Sequence, residues 1–242
     1  MTSPYLSVII PAHNEETRLP ASLQGLFAFL DRQNYSSEVL VVENASSDRT
    51  LQVAQDLTTA YPSLGVLHED LPGKGRAVRR GILASTADYR FIADADFSMP
   101  ASEIRRFLPP ASNVEVSIAS RESQGAVRYD EPYYRHLTGR VYNLIIRLLL
   151  LPGLQDTQCG FKCFSAQAAE RIFPLMTLNG WSFDVEVLAI ARRHGLQVTE
   201  IGIPWYYVEG SKVNVLRHSG RMFLDLLTIR RNLRLGKYDP RT

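Results

Sequence analysis

The sequence predicts an α/β domain built on a mainly parallel sheet with helices on both faces. Three observations predict it. Short apolar runs alternate with segments of helical periodicity from Leu6 to about Ala119. The runs are apolar throughout, as strands buried on both faces are. Four successive runs end in residues suited to phosphates or cations, and the strand ends of a parallel sheet line one crevice.

Leu6 to Ile10 is the first strand, stopped by Pro11, and Ala12-His13-Asn14-Glu15-Glu16 is a polar loop. Leu19, Leu23, Leu26, Phe27 and Leu30 recur at helical spacing. Glu38 to Val42 is the second strand, and Glu43-Asn44-Ala45-Ser46-Ser47-Asp48 closes into the cap of a helix that runs to about Tyr61. Leu64 to His68 is the third strand, and Pro72-Gly73-Lys74-Gly75 is a tight loop before a helix from Arg76 to Leu83. The fourth strand, around Phe91 to Ala93, ends in Asp94-Ala95-Asp96, with Pro100 suited to open another helix. Val114 to Ala119 is the fifth strand, and Glu122 to Pro132 reads as loop.

The second half is less regular. Leu137 to Leu151 is a helix more apolar than one core face needs and too short to span a bilayer; it is either buried on two sides or lies in a membrane interface with Arg140 and Arg147 near headgroups. Ser165 caps a further helix, and Gly180-Trp181-Ser182-Phe183-Asp184-Val185-Glu186 opens another. Gln197 to Val208 contains a strand ending in Trp205-Tyr206-Tyr207. A last helix, about His218 to Leu235, carries an apolar stripe of Met222, Leu226, Ile229 and Leu233, with the arginines largely elsewhere; it either lies on a membrane surface or docks on the core with its basic face in solvent.

The chain of 242 residues is long enough for a sizeable core, with no repeat or interdomain linker. Net charge is +2, but from Arg217 onward the tail carries +5 and leaves −3 on the body. Such a tail favours an anionic partner. No nucleic-acid recognition motif accompanies it, so nucleic acid is not expected. Two cysteines, Cys159 and Cys163, read as buried thiols in a reducing compartment. Met1 to Leu6 lacks the features of a signal peptide, and no run approaches the ~20 apolar residues of a membrane span.

An isolated Asp-x-Asp is a weak signal, but Asp94 and Asp96 point to the same side of an extended chain and can converge on one hard divalent cation. Gly73-Lys74-Gly75 does not fit a Walker loop, and the first strand–helix turn lacks the dinucleotide fingerprint. What remains is a nucleoside diphosphate held partly by metal, with Lys74 nearby.

These motifs together resemble inverting glycosyltransferases of family 2, with the GT-A (Rossmann-like) fold. The likeness is strongest to the dolichyl-phosphate β-glucosyltransferase and polyprenyl-phosphate glycosyltransferase branch. Carrying it are Ser7-Val8-Ile9-Ile10-Pro11-Ala12-His13-Asn14-Glu15, Glu43 to Asp48, Gly73-Lys74-Gly75, Asp94-Ala95-Asp96, Asp156-Thr157-Gln158-Cys159-Gly160-Phe161-Lys162, Gly180 to Glu186 and Gly210-Ser211-Lys212-Val213. The resemblance spans nearly the whole chain. It implies one domain over 1–242: a nucleotide-sugar half over 1–120, an acceptor half over 121–216, and a basic amphipathic C-terminal interface helix and tail over 217–242.

It also implies roles. Pro11, Ala12, Asn14, Glu15, Glu43, Lys74, Asp94, Ala95 and Asp96 would bind the nucleotide sugar. Asp96, with Asp94, would hold Mg²⁺ or Mn²⁺. Arg121 and Lys212 would meet phosphates, and Asp156 and Asp184 would sit by the reacting sugar. The expected activity is transfer of a hexose from a nucleotide sugar, UDP-glucose first, to a polyprenyl monophosphate, by a protein peripheral at the cytoplasmic face of a membrane. GDP-mannose as donor, a soluble acceptor, or a non-catalytic nucleotide-sugar-binding module are the alternatives. The chain departs from the family pattern at His13, where a Tyr is common, and at Asn44, where a second acid is usual.

Overall fold

The computed structural model describes residues 3–208 and 215–239, so Lys212 lies outside the described residues. Four parallel strands form the first half of the sheet: β1 (Leu6–Ala12), β2 (Ser37–Asn44), β3 (Leu64–Glu69) and β4 (Tyr89–Ile92). Val8, Ile9 and Ile10 are all fully buried because both faces of β1 are covered. Val8 and Ile10 pack towards α1 (Leu19–Leu30) and α2 (Thr50–Leu57), while Ile9 faces α3 (Lys74–Ala84). The helical spacing from Leu19 to Leu30 is the buried face of α1. α2 stops short of Tyr61, and its first turn is held by Asp48, whose carboxylate accepts from the Thr50 N–H at 2.9 Å. The segment after Pro100 is a 3-10 turn, Ala101–Phe107, rather than an α-helix.

The sheet does not stop at the end of the first half. Its order is β3-β2-β1-β4-β7-β5-β8, with β5 at Val116–Ser120, β7 at Lys162–Ser165 and β8 at Val198–Gly202. β7 is antiparallel to both neighbours, and β5 therefore runs the same way as β4. This reversal fixes the site, because the chain enters β7 at the edge where β1, β2, β4 and β5 end. β7 did not stand out in the sequence. β6 (Val127–Tyr129) lies in the stretch expected to be loop, and pairs with β9 (Pro204–Tyr206) in a small second sheet.

Four further α-helices occur among the described residues. α5 (Ala166–Ile172) is capped as expected by Ser165, whose hydroxyl accepts from Ala168 N–H. α6 (Phe183–Arg193) is buried along its whole apolar face. α7 (Val215–Arg234) docks Leu226 and Ile229 into the core, so its stripe packs inward. The chain beyond it is anchored by Tyr238, whose buried hydroxyl donates to Glu186 at 2.6 Å. α4 spans Tyr133–Leu149. It is not buried on two sides: it lies beside α7 with Asn143 and Ile146 inward. Leu137, Val141, Leu144 and Leu148 form an exposed apolar stripe, Leu148 being 77% exposed. Phe223, Leu224 and Leu227 of α7 are exposed as well. No helix among the described residues is long and apolar enough to cross a membrane. Both cysteines are buried and unpaired, and burial pushes the Cys159 thiol up to about 11.

Candidate active site

The candidate groups gather at the carboxyl edge of the sheet. β1 delivers Pro11 and Ala12, and the ends of β2, β4 and β5 lead into Asn44, Asp94 and Arg121. The reversed β7 brings its approach loop, Asp156 to Phe161, to the same edge. Backbone strain concentrates here: Asn14, Ala45 and Phe97, in the loops after β1, β2 and β4, have φ of 55°, 49° and 42°.

A cavity of about 420 Å³ opens above β1 and β4. Of the residues expected to hold a nucleotide sugar, Pro11, Ala12, Glu15, Lys74, Asp94, Ala95 and Asp96 line it, together with His13, Arg18 and Asn44. The Ala95 carbonyl accepts from the Ser22 hydroxyl at 2.6 Å, which fixes the peptide between the two acids. Asn44 shapes the opposite wall: its side chain donates to Leu71 O at 2.6 Å and accepts from Gly73 N–H at 2.7 Å. The other two expected residues bind loop to loop. Asn14 donates its backbone N–H to the Ser46 hydroxyl and accepts from Ser47 N–H. Glu43 is buried and accepts from Ser46 N–H and from His68.

Lys74 sits between charges. Its ammonium lies 2.5 Å from Asp94 Oδ1. Burial works against its charge, but Asp94, Asp184 and Asp96 outweigh that and raise its pKa. Asp96 has the opposite imbalance. Burial, and then repulsion from Asp94, raise its pKa despite the Ser98 N–H it accepts at 3.1 Å. Two close carboxylates sharing one lysine are short of positive charge, and their oxygens suit a hard divalent cation. Gly160 makes room for the pair: a Cβ there would fall 2.0 Å from Asp94 Oδ2. No cluster of three or more His, Cys, Asp or Glu suited to a metal occurs among the described residues. Asp94 and Asp96 would therefore share the ion with ligand oxygens and water, as suits a cation that arrives with phosphates.

A second cavity of about 270 Å³ adjoins the first and shares Lys74, Asp94, Asp96 and Trp181 with it. Arg121, Arg128, Gln158, Asp184 and Trp205 line it. The guanidinium carbons of Arg121 and Arg128 lie 5.5 and 5.8 Å from the centre of the Trp205 ring. Arg128 also pairs with Glu122 at 2.7 Å and with Glu131. Asp156 is fully buried and acts on this cavity through Arg121: it accepts from Arg121 Nε at 2.7 Å and Nη2 at 3.0 Å. Burial would raise the Asp156 pKa, but Arg121 holds it far below the usual carboxylate range. Asp184 borders the cavity from the first turn of α6 and is paired with buried Lys162. Burial raises its pKa even so. Glu186, two residues on, accepts from Thr177 and Leu178 N–H groups and from Tyr238, and is structural.

Residues 7–173 match the family described as glycosyl transferase family 2. The chain belongs to that family. Curated relatives include a dolichyl-phosphate beta-glucosyltransferase of Dictyostelium discoideum, 31% identical over 96% of this chain and 76% of that protein. The Homo sapiens protein of the same name is 33% identical over 93% of this chain and 74% of its own length. Among solved structures, glucosyl-3-phosphoglycerate synthase from Mycobacterium tuberculosis, in complex with Mn2+, UDP-glucose and phosphoglyceric acid, aligns with a TM-score of 0.69 at 18% identity. That alignment covers 94% of this chain and 79% of the other, and it establishes the GT-A fold for this transferase. Sequence reading missed Trp181 and Trp205 as cavity residues, and Lys162 as the partner of Asp184. Lys162 and Trp181 lie inside motifs that carry the resemblance, yet nothing in their spacing marks a role.

Proposed function

We propose that this family-2 transferase moves glucose from UDP-glucose to a polyprenyl monophosphate with inversion at the anomeric carbon. The observation that carries the reading is the junction of two cavities at Lys74, Asp94, Asp96 and Trp181. The nucleotide lies in the first cavity, on Pro11, Ala12 and Glu15, with its diphosphate towards Lys74. A divalent cation on Asp96 and Asp94, Mg²⁺ or Mn²⁺, supplies electrostatic stabilisation of the leaving diphosphate. The acceptor phosphate enters the second cavity, where Arg121 and Arg128 attract it and Asp156 keeps the Arg121 fork in one orientation. A phosphate oxygen then attacks from the side opposite the diphosphate. It is anionic near neutral pH, so no strong base is needed, and Asp184 serves to orient the sugar. Lys212 adds a further phosphate contact in this reading.

The exposed stripe of α4 and the exposed Phe223, Leu224 and Leu227 of α7 support a peripheral membrane position, which this reading assigns to the cytoplasmic face. Thr138, Gly139 and Tyr142 of α4 and Met222 of α7 line the second cavity, so the apolar face and the acceptor mouth belong to the same helices. Arg140 and Arg147 are exposed beside the α4 stripe, where they would meet anionic headgroups. The free, buried thiols fit a reducing compartment.

The test is reconstitution. Purified protein, Mg²⁺ and a short polyprenyl phosphate in liposomes are incubated with UDP-glucose, GDP-mannose or UDP-N-acetylglucosamine, and the organic phase is assayed for glycolipid. Glycolipid from UDP-glucose is the expected result. Donor hydrolysis or donor binding without glycolipid would refute the lipid acceptor.

A further inference from the structure

We propose that Trp181 is the platform on which the transferred hexose rests, and that its indole divides the donor cavity from the acceptor cavity. This rests on the donor reading above and deepens it. In an inverting transfer the anomeric carbon lies between the leaving diphosphate and the attacking oxygen, so the hexose occupies the place where the two cavities meet. Four residues line both cavities: Lys74, Asp94, Asp96 and Trp181. Three of them are charged and suited to phosphates, hydroxyls or a cation. A pyranose also presents flat C–H faces that need an apolar surface, and Trp181 is the one aromatic residue of the four.

The ring is held in advance. Lys74 Nζ lies 5.4 Å from the centre of the Trp181 ring, so the lysine that pairs with Asp94 also restrains the indole. The backbone before Trp181 is pressed against the start of α3. Asn179 O accepts from Arg76 N–H at 3.3 Å, and a Cβ on Gly73 would fall 2.4 Å from that same oxygen. Gly73 has a φ of 146°, which a side chain would oppose. After Trp181 the chain is anchored by the buried Ser182 hydroxyl, which donates to Asp225 at 2.8 Å. A platform fixed on both sides spends little binding energy on ordering when the sugar arrives.

The experiment is calorimetric titration of the full chain with UDP and with UDP-glucose, in Mg²⁺, for the wild type and the variants W181A, W181F and W181L. Aromatic contacts are worth about 0.5–1.5 kcal/mol, a factor of roughly 2 to 13 in affinity. W181A is expected to bind UDP-glucose about 2- to 13-fold more weakly while its affinity for UDP is unchanged. W181F, which keeps a flat ring, is expected to retain most of the UDP-glucose affinity. W181L, apolar but without a ring, is expected to lose it. Should W181A not fold, the contrast of W181F with W181L decides the matter. Unchanged UDP-glucose affinity without the ring would overturn the proposal. An equal loss for UDP and UDP-glucose would also overturn it, placing the indole under the nucleotide. A wild-type protein that binds neither ligand would overturn the donor reading itself, and this proposal with it.

Discussion

Replacing Asp156 by asparagine removes a charge and almost no volume. The carboxylate is fully buried and accepts three bonds from Arg121, through the backbone N–H at 3.0 Å, Nε at 2.7 Å and Nη2 at 3.0 Å. A fourth comes from Gln158 N–H at 3.2 Å. An asparagine keeps one acceptor oxygen and turns a donor towards the guanidinium, so the fork loses its second partner. Removing one member of a buried pair typically costs about 3–5 kcal/mol. The Arg121 side chain is 20% exposed and can be partly rehydrated from the cavity, so the lower end, about 3 kcal/mol, is expected here. In a chain of this size that lowers the melting temperature by roughly 6–12 °C. The pH dependence has a fixed sign. The folded pKa of Asp156 lies below its unfolded value, so its stabilisation is present above the unfolded value of about 4 and is lost as pH falls through the folded pKa. Thermal melts of wild type and D156N, followed by circular dichroism, should keep a constant gap from pH 8 to pH 5 and converge under stronger acid. A D156N protein melting within about 2 °C of wild type at pH 7 would refute the clamp.

Three further outcomes follow from the same geometry. D96A should lower Mg²⁺-dependent glycolipid formation by at least about 100-fold, read in the organic-phase assay, whereas retained full activity would remove Asp96 from the cation site. L144E with L148E should reduce co-sedimentation with anionic liposomes by about tenfold or more and leave the melting temperature nearly unchanged, since both side chains face outward. The hydrogen bond from His68 to Glu43 leads in raising the His68 pKa, against burial, so its stabilising pair is complete below about pH 6.5 and is lost as pH rises through the folded value. The stability difference between wild type and H68Q should therefore shrink from pH 6 to pH 9 in denaturant titrations.

The donor half was legible because its signals are local. Each strand of the β1–β4 ladder holds a short apolar run, and the groups that line the first cavity follow those runs directly, from Pro11 and Ala12 to Asp94 and Asp96. The acceptor side depends on chain reversal. β7 is four residues long and begins with Lys162, a residue that argues for surface until Asp184 is seen opposite it. That strand brings Asp156 behind Arg121 and Gly160 against Asp94, pairings separated by 35 and 66 positions that no periodicity encodes. Glu43 shows a different gap: sequence reading identified a carboxylate at a strand end, but not that His68 and Ser46 occupy it. For α4, the pattern recorded how apolar the helix is, while only packing beside α7 showed which face stays uncovered.

The configuration of the product tests the central claim most directly. In the proposed arrangement the two cavities meet at the sugar, and the acceptor phosphate attacks opposite the diphosphate. Glycolipid made from UDP-glucose, whose glucose is α-linked, should carry β-glucosyl phosphate when its anomeric proton coupling is read by NMR. An α-linked product, or glucose released without any lipid product, would contradict the account.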